Sequence, residues 1–128
     1  ETLGEALMGL VIAGWSEGEL GADAVTGWGG DLLQVWDGPE GSKVVAWQMD
    51  WDDSRTAALF QGQLLELMPH ALVKGLIRDT TPPAALTRGR WWSGRQGTIF
   101  LYRRANHVWL VWGDSPEAVE AVAVAALP

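Results

Sequence analysis

The 128 residues suffice for one domain with a buried core and leave no room for a second. Apolar types at 48% and charged types at 20% sit near globular averages, which argues against a disordered or fibrous chain. Sixteen acids against nine bases give a net charge of −7, which repels nucleic acid and anionic membrane, and the absence of cysteine excludes disulfides, thiolate zinc sites and a cysteine nucleophile.

The charge is uneven: residues 1–66 carry twelve acids and two bases, whereas residues 67–128 carry seven bases and four acids. Nine tryptophans stand against two phenylalanines and one tyrosine, so aromatic packing is almost entirely indole. The longest uncharged run, Ala6 to Ser16, has 11 residues, short of the roughly 20 that a membrane-spanning helix needs. Direct membrane insertion is therefore not expected. Glu1 is not an initiator methionine and no basic stretch precedes the apolar run, so the chain reads as a single domain excised from a longer polypeptide.

In chain order, Leu3, Ala6, Leu7, Leu10 and Val11 are spaced for one face of a short helix over Thr2 to Gly14, weakened by Gly4 and Gly9. The glycines from 18 to 30 mark a loop. Asp31 to Trp36 and Lys43 to Trp51 read as a hairpin joined by Asp37 to Ser42, and alternation in the second arm predicts Val45, Trp47, Met49 and Trp51 facing inward. Asp52 or Asp53 is placed to cap a helix from Ser54 to Met68, which Pro69 is expected to end, with Ala57, Phe60, Leu64, Leu67 and Met68 on one face. Ala71 to Ile77 is ambiguous between a strand and a helical turn, and an irregular connection begins at Asp79. Three strands are expected at 90–93, 96–103 and 107–112. Ser115, Pro116 and Glu117 then open a last helix that runs to Leu127. The order α-β-β-α-β-β-β-α predicts an α+β fold, a mostly antiparallel sheet packed by helices. Its nearest familiar shape is the α/β/α sandwich of photosystem accessory proteins of the PsbP class, an analogy of fold alone.

The stretch Gly27, Trp28, Gly29, Gly30 and Asp31 has the glycines of an anion-cradling loop but lacks the Lys and Ser/Thr of a P-loop, and a strand follows it. The favoured reading is structural: the glycines permit positive φ, Trp28 plugs the core and Asp31 holds the turn. Asp50, Asp52 and Asp53 are carboxylates close in sequence, yet helix capping explains them better than calcium, because an EF-hand loop needs twelve residues with a central glycine. His70 and His107 lack metal-ligand spacing, and no Gly-x-Ser-x-Gly accompanies them. Arg88, Arg90, Arg95, Arg103 and Arg104 interleave with Trp91, Trp92 and Tyr102. Such a surface stacks bases or meets anionic partners, or protects a sheet edge from pairing. Within it Arg90, Trp91, Trp92 and Arg95 are the binding candidates, and Trp15, Trp36, Trp91 or Trp92 are the indoles expected to reach solvent. Trp91 and Trp92 should point to opposite faces of one strand.

Three segments together carry a family likeness: Ala24 to Asp31 with its Gly-Trp-Gly-Gly-Asp core, Val45 to Asp52 ending in Trp51-Asp52, and the helix reaching Phe60. They resemble the carboxyl-terminal domain of uncharacterised secreted or surface proteins of bacteria and halophilic archaea. Leu3-Gly4-Glu5 is similar to the opening of the helix that precedes the turn in that group. Many such proteins resemble zinc metallopeptidases whose upstream domain carries His-Glu-x-x-His. The likeness spans residues 1–62 and brings no catalytic residue, and Thr56 and Leu59 stand where the group has acids. It implies an extracytoplasmic or cell-surface setting and an accessory role.

The expectation from sequence is a non-catalytic interaction domain without cofactor or metal, partnered by an upstream domain of its own polypeptide or by a second copy. A carbohydrate- or peptide-binding module using exposed tryptophan is the alternative. A further alternative is the tail of a metallopeptidase-like protein whose catalytic residues lie upstream.

Overall fold

The computed structural model describes residues 28–38, 41–71, 79–94 and 97–128. Its elements are β1 (Trp28–Asp37), β2 (Lys43–Trp51), α1 (Ser54–Ala71), β3 (Asp79–Thr80), a 3-10 turn (Ala84–Leu86), β4 (Arg90–Gly94), β5 (Gly97–Arg104), β6 (His107–Gly113) and α2 (Pro116–Ala126). The strands form one sheet in the order β1-β2-β6-β5-β4-β3, antiparallel at every pairing. The fold is thus α+β with helices packed on an antiparallel sheet. The expected helix over 2–14 and the ambiguous stretch 72–77 lie outside the described residues.

Three boundaries differ from expectation. β1 begins at Trp28, so Trp28, Gly29 and Gly30 are strand and not turn. The ladder to β2 shifts register between Trp28 and Gly30, where Gly30 takes φ 148°, and a Cβ on Gly29 would come within 3.1 Å of the Asp50 carbonyl oxygen. The paired glycines absorb a β-bulge. α1 runs on to Ala71 through Pro69, because proline in a last turn forfeits one donor while its φ remains helical. The connection at Asp79 contains the two-residue strand β3, which pairs with Trp91 and Trp92 of β4.

The register explains why tryptophan dominates the core. On β2 the odd residues Trp47, Met49 and Trp51 join Ile99, Leu101, Val108, Leu110 and Trp92 beneath Ala57, Phe60 and Leu64 of α1. The opposite face also buries apolar side chains: Val44, Ala46, Trp91, Phe100, Tyr102, Trp109 and Val111 pack under Val119 and Ala123 of α2 and against Leu86. Because side chains alternate across a strand, a helix on each face demands apolar residues at both parities in the middle strands. β5 accordingly reads as a continuous buried run from Gly97 to Tyr102.

Both helices carry side-chain caps. The Asp53 carboxylate accepts from the Thr56 amide at 2.7 Å and the Thr56 hydroxyl at 2.9 Å, and the Ser115 hydroxyl accepts from the Ala118 amide. Asp53 is therefore the capping residue of the two expected candidates, and Asp52 is simply exposed.

Candidate functional site

Neither tryptophan of β4 offers an exposed ring face. Trp91 and Trp92 alternate in direction as expected, but both are buried, at 5% and 4% exposure, because each face of β4 is covered. Their expected reach to solvent is corrected. The Arg90 guanidinium lies 5.8 Å from the Trp92 ring centroid. Arg103 donates to the Gln61 side chain at 3.2 Å and to the Ala105 carbonyl at 3.0 Å, which ties β5 to α1 and to its own turn. Arg95, Gly27, His70 and Trp15 lie outside the residues whose side chains are described.

The Gly-Trp-Gly-Gly-Asp stretch is structural in its described part. Trp28 is half-buried and meets the Trp51 ring edge-on at 5.6 Å and 86°. Asp31 does not hold a turn; its carboxylate accepts from the Trp47 indole N–H at 3.0 Å, across the β1–β2 ladder. Trp51, buried, stacks at a tilt on Phe60 with 4.5 Å between centroids.

One polar pair went unseen in the sequence. Asp50 and His107 sit directly opposite on β2 and β6, with Asp50 Oδ1 against His107 Nδ1 at 2.5 Å, and Gln48 donates to the same carboxylate oxygen at 3.4 Å. The signal was the strand register, since only pairing β2 with β6 joins residues 57 apart. His107 also touches the Trp109 ring, and Asn106 next to it donates to the Trp51 carbonyl at 2.7 Å while accepting the Trp51 amide. Among the described residues no third His, Cys, Asp or Glu joins the Asp50–His107 pair to form a metal-sized group.

The most open apolar surface is β1. Five large hydrophobic side chains among the described residues are exposed, and three of them, Leu32, Val35 and Trp36, belong to this strand. Leu32 and Trp36 look toward the α2 side of the sheet and Val35 toward the α1 side. Both helices pack chiefly over β2, β5 and β6, so the β1 margin projects beyond their cover. At its end Asp37 and Lys43 form an ion pair on the surface. Trp36 is the one expected solvent-facing indole, among those described, that the fold leaves exposed.

Among the described residues no helix is long and apolar enough to cross a membrane. No curated protein and no solved structure matches this chain. Residues 1–123 match the profile of DUF8575, a domain of unknown function, and the chain belongs to that family.

Proposed function

We propose that this domain is a non-catalytic interaction module that associates with a second copy of itself through the β1 margin. The observation that carries this reading is the clustering of Leu32, Val35 and Trp36 on one strand beyond both helices. Exposed apolar surface concentrated at a sheet margin marks an association site more often than a solvent-facing wall. A two-fold contact presents the same residues from both copies, so these three side chains count twice. Charge does not oppose it locally: Asp37 is neutralised by Lys43, and Asp31 is hydrogen-bonded to Trp47. A Cβ on Gly30 would meet no atom within 4 Å, so the strand is uncrowded at that point.

The likeness to carboxyl-terminal domains of secreted or surface proteins supports an extracytoplasmic setting, with hydrolysis, where it occurs, assigned to an upstream domain. Helix-sheet-helix layering is consistent with the PsbP-class sandwich and says nothing of role. Among the described candidates the carbohydrate reading retains Trp36, because Trp91 and Trp92 are buried.

Sedimentation equilibrium tests the reading. A concentration-dependent dimer is expected for the native chain, and a monomer of unchanged circular dichroism for the Val35→Lys, Trp36→Glu double variant. A strict monomer for the native chain at high concentration overturns it.

A further inference from the structure

Among the described elements β1 has one partner. It lies at the margin of the sheet, its ladder runs to β2 alone, and neither helix packs on it substantially. Trp28 and Leu33 are its side chains that reach a core cluster, and both do so on the α1 side. The chain up to Asp37 is joined to β2 through residues 38–42, and with no cysteine no disulfide adds a second link.

That connection closes under tight conditions. Asp37 and Lys43 form the last pair of the ladder, and the Gly38 amide donates to the Ser42 carbonyl at 2.7 Å. A Cβ on Gly38 would fall 2.3 Å from the Ser42 hydroxyl oxygen, and Gly41 takes φ 76°, in the left-handed region. Glycine at both positions permits the closure, and glycine loses more conformational freedom on folding than any other residue. Pro39 stands between them in sequence, and proline favours extended backbone at the residue before it. A short hinge that is costly to close invites exchange of the element beyond it between copies. With the hinge opened, β1 runs on from β2 as one long strand and reaches a second molecule.

Exchange loses none of the ladder. The indole bond from Trp47 to Asp31, the edge-on contact of Trp28 with Trp51 and the Asp37–Lys43 ion pair are all remade between chains. A new surface forms where the two opened hinges pass each other at the two-fold axis. Val35 and Trp36, both exposed, lie within three residues of Gly38 and so fall beside that axis.

We propose that two copies associate by exchanging the segment that ends in β1, each β1 pairing with β2 of the other copy in the register seen here within one chain. This rests on the self-association proposed for the β1 margin and names its mode.

The Asp37→Cys, Lys43→Cys double variant tests it. It gives the chain its only two thiols at directly opposed, exposed positions and leaves the net charge unchanged. Opposed positions of paired strands are within disulfide reach. The dimer fraction is isolated by gel filtration, oxidised and run on denaturing electrophoresis without reductant. A covalent dimer is expected, with peptide mapping that shows position 37 of one chain bonded to position 43 of the other. A dimer fraction that falls apart into monomers, each bonded within itself, overturns the exchange and leaves the self-association standing. Bonds between two copies of position 37, or of position 43, overturn it equally, since they mark intact folds in contact. A native chain that sediments as a monomer at high concentration overturns both readings. Insertion of Gly-Ser-Gly-Ser after Gly41, in the otherwise native chain, tests the hinge separately. A longer loop closes without strain, so the dimer dissociation constant should rise about tenfold or more. A dissociation constant unchanged by the insertion overturns the exchange.

Discussion

The middle strands β2, β6 and β5 and the marginal strand β1 use the same residue types, and the fold treats them in opposite ways. Trp47 and Trp51 on β2 are buried to within 2% of completion, while Trp36 on the neighbouring strand is 43% exposed. The difference lies in cover: a helix lies over each face of the middle strands, whereas β1 extends past both helices. Tryptophan abundance in this chain therefore reflects a two-faced core first, and only Trp36, among the described indoles, combines a large apolar ring with substantial exposure. The contrast assigns stability to the centre and contact to the margin, and each assignment can be broken.

The largest effect is expected at the centre. Trp51→Ala removes the ring that meets both Trp28 and Phe60, and truncation of a buried aromatic of this kind costs about 3–5 kcal/mol. Urea unfolding followed by circular dichroism measures it; a loss below about 1 kcal/mol would place Trp51 outside any tightly packed core. Next comes Gly89→Ala, whose new methyl would meet the buried Phe100 ring at 2.4 Å and the Leu101 carbonyl oxygen at 2.7 Å. Neither neighbour can retreat cheaply, since one is a fully buried ring and the other backbone, and overpacking of this kind costs about 1–3 kcal/mol. A midpoint unchanged from the native protein would show that the connection into β4 shifts freely.

Much of this centre was legible in the sequence, and the reasons for the misses are physical. Alternation from Val45 to Trp51 points to the inward parity of β2, and the short carboxylates Asp52 and Asp53 point to the start of α1 without deciding between them. What alternation could not convey was that the second face is also covered. From alternation alone Val44 and Ala46 read as outward positions, and Trp91 and Trp92 as divided between core and solvent. A strand reports its own parity, but the number of layers on the sheet depends on where the chain returns. The Asp50–His107 pair was hidden for the same reason, because it depends on β6 returning beside β2. Pairing of Gly29 and Gly30 looked like a loop because a bulge and a turn make the same demand on the backbone.

Smaller effects come from the ends of elements. Ala105, in the turn between β5 and β6, has φ 53°, a left-handed conformation that a side chain resists. Ala105→Gly should stabilise the domain by about 0.5–1 kcal/mol, the relieved strain being partly offset by glycine's greater freedom when unfolded. A higher urea midpoint with an unchanged slope would be the sign of it. The Asp53 cap contributes a pH dependence. The Thr56 amide and then the Thr56 hydroxyl hold the carboxyl below its ordinary value, so its folded pKa is depressed. Its stabilisation is complete above the unfolded pKa of about 3.9 and disappears as pH falls through the lower folded value. Asp53→Asn should therefore change stability by a constant amount from pH 5 to 8, and the gap to the native protein should close below about pH 4. A gap that persists at pH 2 would mean the cap acts without its charge.

The smallest effect on stability is expected at Trp36, and it is the most telling about the margin. Trp36→Ala removes an indole that neither core cluster holds, so the isolated fold should change by no more than about 0.5 kcal/mol, against several for Trp51→Ala. The same substitution takes from the β1 surface its largest apolar side chain, leaving Leu32 and Val35 in place. Unfolding at low concentration, where monomer prevails, and unfolding at high concentration should then diverge. Under the proposed self-association the native protein should gain apparent stability with concentration, because association favours the folded state, and Trp36→Ala should flatten that dependence. If the two chains lose stability equally at every concentration, Trp36 belongs to the core after all and the contrast between centre and margin fails. If the native protein shows no concentration dependence while Trp36→Ala remains silent, the margin is exposed without being a contact between copies.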